Sequence, residues 1–281
     1  MLTADSYSSP MNKPTIAILG AGSMGEIFAL GLLRAGWEPS EIILVARRPE
    51  RARELEYRTG ITTLLSLEDA VPGKDIAMIG VKPKDVKSVL ESIAPVITSD
   101  QTVVSIAAGV PLATFEEALP GIPIIRAMPN TPSAVDLGMT AFTAGSTAGD
   151  IDIERASVLL GAVGETIQLS EDLIDAVTAV SGTGPAYVFL LAESMTEAAI
   201  REGLPHHAAE KLVHQTLWGA GALLAASEKS AFRLRGEVTS PGGTTAAALH
   251  VLEEGGFRSL MQDAIQSAAR QSRFLGEQAS E

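Results

Sequence analysis

The sequence has no cysteine among its 281 residues, and only 4% of them are aromatic. The absence of cysteine excludes disulfides, thiolate metal sites and a cysteine nucleophile. Because apolar residues still make up 46% of the chain, its core must consist mainly of alanine, valine, leucine and isoleucine. A chain of this length suffices for one or two domains with a sizeable core.

Basic residues are also few, since 21 Lys and Arg stand against 34 Asp and Glu and leave a net charge of −13. This balance argues against binding to nucleic acid or anionic membranes, although a local basic cluster could still hold a small anion. The four histidines show no metal-ligand spacing, so no metal site is expected. Residues 1–14 lack the apolar run of a signal peptide and are predicted to form a flexible extension. No segment is apolar over the length of a membrane span without charges or Gly and Pro breaks, and the protein is predicted to be cytoplasmic.

A glycine motif follows the first apolar run, residues 15–19, and a helical pattern continues from it to residue 36. The motif consists of Gly20, Ala21, Gly22, Ser23, Met24 and Gly25. In a strand–turn–helix context this G-x-G-x-x-G pattern is typical of dinucleotide binding. Gly20 permits the turn, Gly22 lets the backbone approach a pyrophosphate, and Gly25 lets the helix pack closely on the strand.

Two arginines, Arg47 and Arg48, end the next predicted strand at the position where NAD-binding proteins carry an acid. Guanidinium groups suit the 2′-phosphate of NADP by charge and by bidentate geometry. The alternative is that they form a solvated basic start to a helix over residues 49–59. We favour NADPH as the cofactor and keep NADH as possible.

Strands and helices continue to alternate as far as residue 169, with further strands expected near 75–81, 102–106, 122–126, 138–144 and 165–169. This alternation predicts an α/β domain with a parallel, doubly wound, Rossmann-type sheet over residues 15–169. In such sheets ligands lie beyond the carboxyl ends of the strands. The loops expected at that rim contain the glycine motif, Arg47, Lys82, Pro83, Ala107, Ala108, Gly109, Met128 and Asn130.

From residue 170 to 281 the sequence is helical, with no convincing strand. Its long helix, which ends near residue 202, is apolar nearly all round, so it must be covered on most sides. One small helical domain can hardly do that alone, which predicts an all-α dimerisation domain. Residues 227–237 are expected to be a polar connection.

The segment Val238-Thr-Ser-Pro-Gly-Gly-Thr-Thr245 breaks the helical pattern and precedes another helix, which Thr244 or Thr245 could cap. Glycines before a helix start expose backbone N–H groups that, together with the helix dipole, suit a carboxylate or phosphate. An ordinary capped loop is the alternative, and the segment alone leaves both open.

Together these motifs resemble the pyrroline-5-carboxylate reductases. The resemblance also rests on Met128-Pro-Asn-Thr-Pro132, Ser181-Gly-Thr-Gly-Pro-Ala-Tyr187, Ala248-Leu-His-Val-Leu-Glu253 and Gly255-Gly-Phe-Arg258. It implies NAD(P)H-dependent reduction of the cyclic imine 1-pyrroline-5-carboxylate to L-proline. It also implies a homodimer whose helical domains interlock and share active sites, with larger rings of dimers left open.

The resemblance assigns roles to individual residues. Thr245 would hydrogen-bond the substrate ring nitrogen, while Ser240 and the backbone of Gly243, Thr244 and Thr245 would hold the substrate carboxylate. The cofactor would be lined by Val81, Lys82, Pro83, Ala107, Ala108, Gly109 and Asn130. One departure is that Ser66 and Leu67 stand where many members carry an asparagine that touches the ribose, so that contact is not carried over.

Three other functions are weighed against this one. A β-hydroxyacid dehydrogenase places a lysine on its long interdomain helix to move a proton, and here no lysine follows Gly184 in that helix. Another imine-reducing NADP oxidoreductase would use the same cofactor rim. A non-catalytic nucleotide-binding protein would have no need of the Ser-Pro-Gly-Gly segment.

Overall fold

The computed structural model of the protein describes residues 13–279, which form two compact units. The first unit runs to Gly182 and includes the end of the last helix from Ala269 on, and the second unit is Thr183–Ala268. The predicted domain boundary at 169/170 stays a prediction. All but the last two residues of the predicted extension lie outside the described part of the chain.

The first unit is built on a sheet whose strands alternate with helices. The strands are β1 (Ile16–Leu19), β2 (Ile42–Val45), β3 (Thr63–Leu64), β4 (Ile76–Ile79), β5 (Thr102–Ser105), β6 (Ile124–Met128), β7 (Gly138–Ala144) and β8 (Gly164–Gln168). The helices are α1 (Ser23–Arg34), α2 (Pro49–Thr59), α3 (Val86–Ile93), α4 (Leu112–Ala118), α5 (Asp150–Gly161) and α6 (Ile174–Val177). A π-helical turn, Thr178–Gly182, ends this part of the unit.

The strands form one sheet in the order β3-β2-β1-β4-β5-β6-β7-β8, whose first six positions match the Rossmann order. Neighbours from β3 to β6 are parallel, but β7 is antiparallel to β6, and β8 is parallel to β7. The predicted parallel, doubly wound sheet is confirmed for the six strands β1 to β6, whereas β7 and β8 run antiparallel to them. Residues 129–137, which contain only a 3-10 turn, are too few for a parallel crossover, which needs about a dozen residues or more.

Both faces of the sheet are covered by helices. Ile16 and Ile18 of β1 pack into one buried cluster with side chains of α1, α2 and α5, including the fully buried Phe28. Ala17 and Leu19, which point the other way, pack with side chains of α3 and α4. This double coverage explains why the strands are almost continuously apolar.

The second unit is helical, with α7 (Gly184–Arg201), α8 (His206–Ala226), α9 (Ala231–Glu237), α10 (Thr244–Glu254) and most of α11 (Phe257–Ala279). Helix α9 lies in the segment predicted to be a connection without a helix, so that prediction is wrong. The hydroxyl of Ser230 accepts a hydrogen bond from the Arg233 N–H at 3.4 Å and starts this helix. At seven residues, α9 is too short to show an apolar period in the sequence.

The helices of the second unit have little buried surface within the chain. Helix α7 has no buried residue, and α8 buries only Ala209 and Val213 among the residues that the structure describes. By length and composition alone, the helical segment Glu171–Arg201 is apolar enough to cross a membrane. Large apolar side chains are exposed on these two helices, among them Phe189, Leu190 and Trp218, as is typical of interaction surfaces.

Candidate functional site

The loops predicted to bind the cofactor all follow strands of the first unit at the same edge of the sheet. They extend from the carboxyl ends of five parallel strands that are adjacent in the sheet, in the order β2-β1-β4-β5-β6. Backbone hydrogen bonds join three of them, because Ala21 N–H donates to Val45 O at 2.9 Å and Gly80 N–H donates to Leu19 O at 2.9 Å. The rim expected from the alternation of strands and helices is therefore present.

The three glycines of the first loop, Gly20, Gly22 and Gly25, are required for different physical reasons. Gly20 has a φ of +101°, and a side chain there would also meet Val81 Cγ1 at 2.5 Å. At Gly25 a Cβ would lie 2.6 Å from the carbonyl oxygen of Gly20, so only glycine lets α1 pack this closely on the turn. A Cβ at Gly22, by contrast, would meet nothing within 4 Å. Glycine at this position leaves open space beside the backbone.

The start of α1 beside that open space suits an anion. Gly22 is the N-cap, no side chain caps the helix, and Gly22 and Ser23 are exposed. The first N–H groups of a helix have no intrahelical acceptor, and the helix dipole adds positive charge there. The residues present therefore fit the pyrophosphate of a dinucleotide.

Arg47 and Arg48 are exposed directly after β2. Arg47 has a side chain that is 82% exposed, and its Nη1 lies 3.3 Å from Oδ2 of Asp85. Asp85 comes from the loop after β4, thirty-eight residues further along the chain. Nothing near Arg47 in the sequence predicts that Asp85 faces it, because the acid of NAD-binding sites is expected at the end of β2 itself.

Two further loops complete the rim. Val81 is half-buried against Gly20, Lys82 is exposed, and Pro83 begins the 3-10 turn Pro83–Asp85. In the loop after β5, Ala107 is buried, Ala108 is exposed, and Gly109 has a φ of +78°.

The end of α11 packs against that last loop. A Cβ at Gly276 would lie 3.2 Å from the carbonyl oxygen of Gly109, so the two backbones approach closely. Ser272, one turn earlier, donates from its hydroxyl to Oδ1 of Asp175 at 2.6 Å. The sequence offered no signal for this contact, because a helix pattern does not reveal which surface its last turns meet.

Asn130, after β6, has protein partners for its side-chain amide. Its Nδ2 donates to Ser181 O at 3.2 Å and Ser181 Oγ at 3.1 Å, and its Oδ1 accepts from Met139 N–H at 2.9 Å. Asn130 thus joins the end of β6 to β7 and to the π-helical turn. Its contact with the cofactor stays a prediction.

The second unit carries the loop predicted to bind the substrate, residues 240–245. Gly242 has a φ of +67°, and Gly243 N–H donates to Ser240 O at 3.1 Å. The predicted threonine cap of α10 is wrong, because Gly243 is the N-cap and no side chain caps this helix. A side chain at position 243 would meet the Ser240 hydroxyl, which would have to rotate away.

The hydroxyl residues of the loop differ in exposure. Ser240 and Thr244 are exposed and Thr245 is half-buried within the first turn of α10. An uncapped helix start flanked by hydroxyls can hold a carboxylate. The anion site at this loop stays a prediction.

A charged cluster supports α10 from its other end. Glu253 lies 2.7 Å from Nη2 of Arg258 and 3.2 Å from Nη1 of Arg235 on α9. The hydrogen bond from Arg258 holds the pKa of the Glu253 carboxyl below its usual range. These contacts connect α9, α10 and the start of α11.

Family models match the chain in two consecutive parts. The model for pyrroline-5-carboxylate reductase dimerisation matches residues 171–275, and a model described as NADP oxidoreductase coenzyme F420-dependent matches residues 15–109. The first of these covers the helices whose apolar side chains are exposed. The second covers the glycine turn and the rim loops up to Gly109.

Relatives and solved structures match almost the whole chain. The pyrroline-5-carboxylate reductase of Corynebacterium melassecola is 39% identical, over 93% of this chain and 98% of its own length. That of Pisum sativum is 37% identical over 98% of both. The structure of a pyrroline-5-carboxylate reductase from Coxiella burnetii superposes with a TM-score of 0.89 at 35% identity, covering 94% of this chain and 99% of that one.

A second solved structure is that of the Plasmodium falciparum pyrroline carboxylate reductase with NADP bound. It superposes with a TM-score of 0.84 at 28% identity, over 95% of this chain and 99% of that one. Identity above 35% over nearly the full length of two curated relatives, together with the dimerisation model, decides the family. The chain belongs to the pyrroline-5-carboxylate reductase family.

Proposed function

We propose that the protein reduces the cyclic imine 1-pyrroline-5-carboxylate to L-proline with NAD(P)H. The observation that carries this proposal is that reductases of that name match both the dinucleotide-binding part and the helical part of the chain. A β-hydroxyacid dehydrogenase is not favoured, since no lysine lies between Gly184 and Arg201 of α7. A non-catalytic binding protein is not favoured either, because glycines stand both in the turn at residues 20–25 and in the loop at residues 240–245.

The cofactor would lie along the rim of the first unit. The turn at residues 20–25 and the start of α1 would hold its pyrophosphate. Arg47 and Arg48 would pair with a 2′-phosphate, which makes NADPH the preferred cofactor and leaves NADH possible. Residues 81–83, residues 107–109 and Asn130 would line the remainder. The bound nicotinamide supplies the hydride, and the chain supplies orientation.

The substrate would be held by the loop of the second unit. Ser240 and the backbone of Gly243, Thr244 and Thr245 would bind its carboxylate. Because the Gly243 N–H already donates to Ser240 O at 3.1 Å, the N–H donors to the carboxylate would be those of Thr244 and Thr245. An imine accepts hydride best as its protonated iminium, and the neighbouring carboxylate favours that positive charge. The Thr245 hydroxyl would accept a hydrogen bond from the iminium N–H and orient the C=N bond. Hydride addition at carbon then moves the C=N π electrons to nitrogen and yields the secondary amine.

The dimer of the family would complete each active site. We place the loop at residues 240–245 of one protomer at the cofactor rim of its partner. The exposed apolar side chains of α7 and α8, among them Phe189, Leu190 and Trp218, support burial against a second copy. The protein would accordingly act in the cytoplasm, with the apolar segment Glu171–Arg201 facing the partner and not a membrane. The molar mass in solution would distinguish a single dimer from a ring of dimers.

The test is turnover by the purified protein. With 1-pyrroline-5-carboxylate and NADPH, we expect oxidation of the cofactor and an equal amount of L-proline. A panel of β-hydroxyacids with NADP⁺ serves as the control and should give no reduction of the cofactor. No turnover of the imine with either NADPH or NADH would overturn the proposal, and turnover of a β-hydroxyacid would favour its rival.

A further inference from the structure

Asp85 is the last residue of the 3-10 turn Pro83–Asp85, which runs directly into α3, and its carboxylate makes no capping hydrogen bond to that helix. Here Oδ2 instead lies 3.3 Å from Nη1 of Arg47, across from the loop that follows β2. The Asp85 carboxylate therefore acts on the neighbouring loop.

Arg47 is held only loosely by this contact. Its side chain is 82% exposed, while that of Asp85 is 26% exposed and less free to move. A phosphate can bind the same guanidinium through two short, charge-assisted hydrogen bonds and would draw Arg47 away from a single contact of 3.3 Å. The Asp85 carboxylate would remain within a few ångströms and repel the phosphate.

NADH differs from NADPH at this position by carrying a ribose hydroxyl, which can donate a hydrogen bond to a carboxylate. NAD-binding sites commonly provide an acid for that hydroxyl at the end of the second strand. In this chain the end of β2 carries Arg47 and Arg48, and the acid comes from the loop after β4. One loop thus favours the phosphate, and the other favours the hydroxyl.

We propose that Asp85 is a specificity-determining residue that competes with the 2′-phosphate for Arg47 and so keeps NADH usable beside NADPH. The inference rests on the cofactor role given to the rim in the proposed function. It predicts the direction in which the affinity for the 2′-phosphate changes. Removing the charge of Asp85 strengthens binding of the 2′-phosphate, whereas a residue that merely orients Arg47 would weaken it when removed.

The experiment measures binding of two probes by titration calorimetry without substrate. Adenosine 2′,5′-bisphosphate carries the 2′-phosphate, and adenosine 5′-monophosphate lacks it. With Asp85→Asn we expect the ratio of their affinities to shift about five-fold toward the bisphosphate, as for one repulsion between exposed charges at about 4 Å. An unchanged ratio, or a shift toward the monophosphate, overturns the proposal.

Two further variants test whether the shift in the affinity ratio is specific to the pair of Asp85 and Arg47. Glu91→Gln removes the same charge from an exposed position on α3 and should leave the ratio within about two-fold. In Arg47→Ala the additional change Asp85→Asn should shift the ratio by less than it does in the parent, because competition for the guanidinium is gone while the direct repulsion of the phosphate remains. Turnover of the imine is assayed separately. A shifted ratio without turnover contradicts the proposed function alone, and turnover without a shift contradicts only the role of Asp85.

Discussion

Arg126 on β6 and Glu171 form an ion pair in which Nη1 of Arg126 lies 2.6 Å from Oε1 of Glu171. The same oxygen accepts a hydrogen bond from the N–H of Leu112, the first residue of α4, at 2.8 Å. Arg126 is 8% exposed, so its charge has little water to stabilise it. One carboxylate thus joins a central strand, a helix on one face of the sheet and the 3-10 turn Glu171–Leu173.

Replacing Glu171 should destabilise the protein markedly. Glu171→Ala leaves the guanidinium of Arg126 almost buried without its counter-ion, and we expect the free energy of unfolding to fall by about 2–3 kcal/mol. Glu171→Gln keeps an acceptor for Leu112 and should cost about half as much. Urea unfolding measures both, at one fixed protein concentration because a dimer's stability depends on it. Asp172→Asn, at an exposed neighbour, should change the stability by less than about 0.5 kcal/mol.

Gly22→Ala should weaken binding of the cofactor without destabilising the fold. The added methyl group would meet nothing within 4 Å in the protein, so the thermal unfolding temperature should stay close to that of the parent. The methyl group would occupy the space proposed for the pyrophosphate, and we expect the KM for NADPH to rise about ten-fold or more. An unchanged KM would contradict the placement of the pyrophosphate at the start of α1.

Gly20→Ala is the matched variant in the same turn. Here the backbone has a φ of +101° and the methyl group would meet Val81 Cγ1 at 2.5 Å. We expect a loss of stability of about 2 kcal/mol or more, from backbone strain and steric overlap together. A parent-like unfolding temperature for Gly20→Ala would show that the turn can rearrange, contrary to this account.

The features predicted correctly from the sequence are those that depend on nearby residues. The strand, the glycine turn and α1 follow one another within about twenty residues, and each glycine has a local steric cause. The rim at the carboxyl ends of the strands then follows from the general topology of doubly wound sheets. The loop at residues 240–245 was likewise recognisable, because two glycines directly precede a helix.

The features that were missed depend on distant partners. Nothing near Arg47 in the sequence indicates that Asp85 will face it, and nothing near Arg126 indicates Glu171. The reversal of β7 depends on the length of the connection after β6 and not on the composition of the strand. The sequence likewise did not indicate that the amide of Asn130, a residue predicted at the cofactor rim, bonds Ser181 and Met139, which only the folded chain brings near it.

Charge on the exposed apolar surface of the second unit should prevent dimer formation. Leu190 on α7 has 63% of its surface exposed in the single chain, and the family's dimerisation model covers this helix. Leu190→Asp would require burial of an unpaired carboxylate in the interface, so we expect monomers in light scattering. Tyr57→Asp, at a residue of α2 that is 93% exposed, is the control outside that region and should remain dimeric. A dimeric Leu190→Asp would place the interface elsewhere.

Thr245 provides the most direct test of the chemistry proposed for the second unit. Thr245→Ala removes the hydroxyl from the first turn of α10 without altering the glycine N-cap at Gly243. If that hydroxyl orients the iminium, kcat should fall about 10–100-fold, as for loss of one hydrogen bond that strengthens during the reaction. The KM for NADPH should stay within about two-fold, because the proposed cofactor contacts lie in the first unit. Thr245→Ser, which keeps the hydroxyl, should restore most of kcat, whereas equal losses in both variants would mean that the methyl group's packing and not the hydrogen bond is what the reaction requires.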